Sequence, residues 1–131
     1  MTSSQQLLDL GAEPFVSLTT FRKTGEPVHT PVWILRDGDA LIVTTPVASG
    51  KVKRLRNNPT VTLTPSSRMG KVDETVAPVS ARVEILDDPA EVARYSDLFL
   101  AKYRLEYRIF MWIERRAKSG QAQRVMLRIT D

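Results

Sequence analysis

Apolar and polar positions alternate along residues 15–23, FVSLTTFRK, with Val, Thr and Phe in excess. Period two with β-branched and aromatic residues predicts a strand. The same reading gives strands over 27–36 (PVHTPVWILR), 40–46 (ALIVTTP), 60–66 (TVTLTPS), 76–86 (VAPVSARVEIL) and 124–130 (RVMLRIT). Residues 41–43 lack polar alternation, which predicts burial on both faces. Gly25 in TGEP and the DGD at 37–39 mark tight turns between the first three strands. Pro31 and Pro78 cannot donate to a ladder, so each is expected at an edge or a bulge.

The period changes in DDPAEVARYSDLFLAKY. Asp88 is a candidate N-cap, Pro89 suits the first helical position, and Val92, Tyr95, Leu98 and Phe99 recur at helical spacing. A second helical stretch over 105–118 puts Ile109, Trp112 and Ile113 on one stripe. Near the N-terminus, Ser4 is a candidate cap for a short helix to Leu10, with Gly11 as its stop. A run of hairpin strands with a strand returning at the end predicts a mainly β chain, an antiparallel closed or split β-barrel with short flanking helices. Closure also removes exposed strand edges. The length of 131 residues fits one domain, 1–131.

Composition narrows the chemistry. The chain has no cysteine, which excludes disulfides and thiolate metal sites and fits a reducing cytoplasm. One histidine without cysteine cannot build a zinc site, so no metal is expected. No apolar run approaches the roughly 18 residues of a membrane span, and MTSSQQLLDLGAEP lacks the features of a secretory signal. The net charge of +4 favours anionic ligands without marking a dedicated nucleic-acid binder. GxGxxG and Walker A segments are absent, so neither a Rossmann nor a P-loop site is supported.

Residues 49–59, SGKVKRLRNNP, carry the clearest candidate chemistry. Lys51, Lys53, Arg54 and Arg56 are four cations within six residues. Ser49 can cap a helix there, Val52 and Leu55 lie on one face as its anchor, and Gly50 lets a ligand approach the backbone. Free N–H groups and the positive end of the helix dipole suit a phosphate. A solvated basic helix is the competing reading. Position favours a site, because the segment directly follows the buried strand 40–46 and ligands gather at barrel mouths.

Residues 20–63, TFRKTGEPVHTPVWILRDGDALIVTTPVASGKVKRLRNNPTVTL, resemble the pyridoxamine 5′-phosphate oxidase-like split barrels of the FMN-binding type. The TPVW strand, the DGDALIVTT hairpin and the SGKVKRLRNNP helix are most similar to the branch using the deazaflavin coenzyme F420. Likeness extends more loosely through YRIFMWIERR and RVMLRIT, nearly the whole chain. The resemblance implies a homodimer with a flavin-type cofactor in a groove at the subunit interface. It puts the cofactor phosphate at Ser49, Gly50, Lys51 and Val52, with Lys53 and Arg56 nearby. The ring system would be lined by Thr30, Pro31, Val32 and Trp33 and by Thr44 and Thr45. Four cations exceed what one phosphate needs, which favours the glutamyl-tailed deazaflavin over the alternative, FMN. The implied activity is an oxidoreductase passing hydride from the reduced cofactor to a small conjugated acceptor. No catalytic acid or base is assigned. The chain departs from the family in SSRMGKVDETVAP, where Val76, Ala77 and Pro78 replace an expected glycine-proline-aromatic element.

His29, the only histidine, reads first as a surface residue and second as a catalytic acid. Trp33 borders the ring site or fills the barrel. Phe110, Met111 and Trp112 read as core or dimer contacts, and Tyr103, Arg104, Tyr107 and Arg108 as a helix junction. Two other functions compete with the reductase: a cofactor carrier without efficient turnover, and a small basic nucleic-acid module.

Overall fold

A computed structural model describes residues 2–117 and 123–131, with the side chains of residues 5–104 and 123–131. Seven antiparallel strands form one sheet: β1 (Val16–Phe21), β2 (Pro27–Val32), β3 (Ile34–Asp37), β4 (Ala40–Pro46), β5 (Thr60–Pro65), β6 (Val79–Leu86) and β7 (Arg124–Thr130). Three helices flank them: α1 (Thr2–Asp9), followed by a 3-10 turn at Leu10–Ala12, then α2 (Gly50–Asn57) and α3 (Pro89–Ala117). The strand order is β2-β1-β5-β6-β7-β4-β3.

That order explains the curl. β2 and β3 occupy opposite edges of the sheet, yet only Trp33 separates them in sequence. Two backbone steps span at most roughly 7 Å, so the edges must come that close at Trp33. The sheet therefore wraps into a half-barrel, with no ladder joining β2 to β3 at the split. The expected single strand over 27–36 is thus two strands on two edges. Pro31 lies on the edge strand β2, opposite Ser17 of β1, where its missing N–H costs nothing. Gly38 takes φ 61° in the β3–β4 turn, a conformation that glycine adopts without strain.

Two apolar clusters hold the fold. Leu18, Leu41, Val43, Leu63, Leu127 and Ile129 fill the barrel, and Leu55 of α2 enters from one end. On the outer face, Leu35, Ile42 and Met126 meet Tyr95 and Phe99 of α3. β4 is buried on both faces, as its lack of alternation predicts. Burying Phe99 alone contributes about 2–3 kcal/mol. The α3 start is the expected cap, with the Glu91 N–H donating to Asp88 Oδ2 at 3.1 Å. Tyr95 donates to Asp37 Oδ2 at 2.5 Å, and that bond with the nearby Arg94 holds the Asp37 carboxyl below its usual range.

Three other expectations change. α1 begins at Thr2, so Ser4 is inside the helix and does not cap it. Gly11 sits in the 3-10 turn rather than ending α1, and its role is close approach: a Cβ there would lie 2.7 Å from Arg36 Cβ. β6 begins at Val79, leaving residues 76–78 out of the ladder. The two predicted helical stretches are the two parts of α3 on either side of Arg104, which takes the non-helical φ 53° and ψ −124°. The readings of Tyr107, Arg108, Ile109, Phe110, Met111, Trp112 and Ile113 concern side chains outside the described residues.

Candidate functional site

The end of β4 launches α2. The Val47 N–H donates to the Gln123 carbonyl at 2.9 Å, and the Ser49 N–H to the Pro46 carbonyl at 3.1 Å. Ser49 has extended N-cap backbone angles, but its hydroxyl does not cap. It pairs instead with Thr45 Oγ1 at 3.1 Å, which ties the helix start to β4. The expected Ser49 side-chain cap is therefore replaced by a strand contact, and no side chain caps the first turn of α2.

Val52 and Leu55 are buried beneath α2 and set its rotation. At 100° per residue, Lys51 and Arg54 then share one flank, and Lys53 and Arg56 the other. Arg54 Nε donates to Thr20 Oγ1 of β1 at 2.7 Å. Its terminal nitrogen lies 2.8 Å from where a Cβ on Gly50 would sit, so the guanidinium folds back over the helix start. From β7, Arg124 Nε donates to Thr44 Oγ1 at 2.9 Å. Lys51 lies half-buried among them. Burial first, then Arg54 and Arg124, push its ammonium below the usual lysine value. Arg54 is pushed down too, by burial and by Arg22. Burial and like charge both disfavour the protonated Lys51, and an anion placed here relieves the repulsion.

The structure thus gathers Thr44, Thr45, Ser49, Gly50 and Lys51 at one end of the barrel. Lys53 and Arg56 are exposed on the far flank of α2, and Val52 offers only its backbone. The β2 group is spread over several surroundings. Thr30 is half-buried, Pro31 is exposed beside Gly70, and Val32 points into the barrel core. Trp33 packs in the outer cluster, stacked on Tyr103 at 5.0 Å, and so does not fill the barrel. His29 stands exposed on β2 with Nδ1 2.6 Å from Thr19 Oγ1.

Sequence reasoning left Arg54, Arg124 and Thr20 out of the site. Arg54 was detectable, since a glycine four residues before an arginine on one helix puts them in contact. Arg124 reaches the site only through the β4–β7 register, in which it opposes Pro46. Nothing local in the sequence announces that pairing.

Residues 4–130 match the family model of pyridoxamine 5′-phosphate oxidase. The chain belongs to this family. Solved structures agree on the fold. A conserved hypothetical protein of Mycobacterium tuberculosis superposes with a TM-score of 0.64 at 18% identity, covering 95% of this chain and 77% of that one. An F420 reductase superposes at 0.58 with 22% identity, covering 96% and 90%. The heme storage protein HutZ of Vibrio cholerae superposes at 0.63 with 13% identity, covering 98% and 84%. Among curated proteins, none matches in sequence. At these identities the family's split barrel is shared, while the named functions differ. Among the described residues, no group of three or more His, Asp or Glu could hold a metal ion, and no helix is long and apolar enough to cross a membrane.

Proposed function

We propose that this protein is a cytoplasmic oxidoreductase that binds the reduced deazaflavin coenzyme F420 at a homodimer interface and reduces a small conjugated acceptor. The observation carrying this reading is the half-buried Lys51 within the field of both Arg54 and Arg124 at the start of α2, with Arg54 fixed on Thr20, Arg124 on Thr44 and Ser49 on Thr45. Its donor set fits a phosphate ester: fixed hydroxyls, a guanidinium fork, an ammonium and the start of a helix. When bound, the cofactor supplies the hydride. The chain's own groups anchor its anionic arm. Arg54 is prepositioned by Thr20, and Lys51 regains a favourable field once a negative charge neutralises its neighbours.

FMN is the second reading. It is favoured by the placement of Lys53 and Arg56 on the opposite flank of α2, which reduces the surplus of cations the sequence displays.

Titration of the purified protein with each cofactor, followed by cofactor fluorescence and repeated with Lys51→Ala, tests the proposal. Tight binding of the deazaflavin, weakened about tenfold or more in the variant, supports it. Binding of FMN alone moves the protein to the second reading, and binding of neither refutes both.

A further inference from the structure

Residues two apart on a strand share a face. Arg22 follows Thr20 at that spacing and continues the β1–β2 hairpin. Its N–H donates to the Glu26 carbonyl at 2.9 Å, one step beyond the Phe21–Pro27 pair. Arg22 and Glu26 are therefore cross-strand partners on the face that carries Thr20 and Val28. Arg22 Nε donates to Glu26 Oε1 at 3.1 Å, with the two side chains 55% and 68% exposed. On the same face Thr20 Oγ1 accepts from Arg54. Burial and then the charge of Arg22 hold Arg54 down, and burial and then Arg54 and Arg124 hold Lys51 down. Positive charge thus runs on from the start of α2 to the β1–β2 turn. One phosphate is matched by one or two cations, and Lys51, Arg54 and Arg124 already supply three. Arg22 is left for a second anionic group. The Cα atoms of alternate strand residues such as Thr20 and Arg22 are about 7 Å apart, the reach of roughly two residues of extended chain.

Resting on the function proposed above, we propose that Arg22 is a second anion subsite beside the Lys51 cluster, that it takes a carboxylate of the glutamyl tail, and that Glu26 occupies it until the cofactor binds. No covalent bond changes: one carboxylate replaces another on the guanidinium, whose fork serves both alike. The exchange costs little, because an exposed ion pair such as Arg22–Glu26 adds little to stability and Glu26 can turn into solvent. Glu26 is then a competitor built into the chain, which sets how strongly a tail is preferred. A ligand that ends at its phosphate leaves the Arg22–Glu26 pair as it is. Lys53 and Arg56, exposed on the far flank of α2, do not supply this second charge. Arg22 supplies it from a different element of the fold.

The test titrates the full-length protein with two ligands, the deazaflavin carrying its glutamyl tail and the same deazaflavin without glutamates, and follows cofactor fluorescence. Glu26→Gln removes the competitor and should widen the preference for the tailed form to about fivefold, the scale of one exposed ion pair. Arg22→Gln combined with Glu26→Gln should bring the tailed form to the Kd of the untailed one. Equal affinity for the two ligands in Glu26→Gln, or a preference that survives in the double variant, overturns the assignment of Arg22 while the proposed function stands. If the native protein binds neither deazaflavin, the assignment falls together with the function it rests on.

Discussion

The Tyr103 hydroxyl lies between the N–H and the carbonyl of one residue, Ile34, at 3.0 and 3.1 Å, and reaches the Pro14 carbonyl at 2.6 Å. Ile34 opens β3 immediately after Trp33, where the chain crosses from one sheet edge to the other. Trp33 stacks on the ring of Tyr103, and Lys102 donates to the carbonyls of Gly11, Glu13 and Ile34. α3 therefore fastens the point at which the barrel curls. Tyr103→Phe keeps the stacking and removes the hydroxyl, leaving the partly buried Ile34 N–H without that acceptor. A loss of about 1–3 kcal/mol is expected, read as a lower midpoint in urea with unchanged slope.

Gly50→Ala should separate binding from stability. The new Cβ would lie 2.8 Å from an Arg54 terminal nitrogen, a flexible group that can swing away. Alanine also suits a helix better than glycine. Thermal unfolding should stay within about 0.5 kcal/mol of native or improve. Cofactor affinity should fall about tenfold, roughly 1.4 kcal/mol, as Arg54 leaves Thr20. Unchanged affinity would remove Arg54 from the site.

Gly11→Ala has no such escape. Its Cβ would meet Arg36 Cβ at 2.7 Å and the Arg36 backbone nitrogen at 3.3 Å, so backbone must shift. Overpacking of this kind costs about 1–3 kcal/mol, seen as a lower Tm in calorimetry.

Lys51→Met should stabilise the cofactor-free protein at neutral pH. The folded Lys51 value lies below the ordinary lysine value, so between the two the unfolded chain binds more protons. Stability then rises with pH through that window, and the penalty for charged Lys51 is present in full below it. The advantage of the variant should therefore shrink between neutral pH and pH about 10. Its cofactor affinity should fall over the whole range. An advantage that does not vary with pH would refute this account.

Arg104→Gly should raise stability by about 1 kcal/mol, because φ 53° with ψ −124° is strained for an arginine and open to a glycine. Equilibrium denaturation at fixed pH checks it. A loss would mean that the arginine side chain contributes more than the strain costs.

The strands, the cap at Asp88, the buried β4 and the helix at residues 50–57 were legible because each is a local pattern. Alternation, helical spacing and turn chemistry need only neighbours within a few residues. Boundaries failed where a longer-range contact intervened. Alternation in 27–36 continues through Trp33, yet the strand changes edges there because Tyr103 and Lys102 hold the bend.

The site divides in the same way. The sequence by itself determined that a cation-rich helix start follows a buried strand, since composition and period are written in contiguous residues. Which cations face inward depended on Val52 and Leu55 finding the barrel end. The presence of Arg124 depended on the β4–β7 register, and the pairing of His29 with Thr19 on the β1–β2 register. Those relations join residues 10 to 80 positions apart. Only the closing of the sheet decides them, because a period of 2 or 3.6 residues fixes which way a side chain faces and not what it meets.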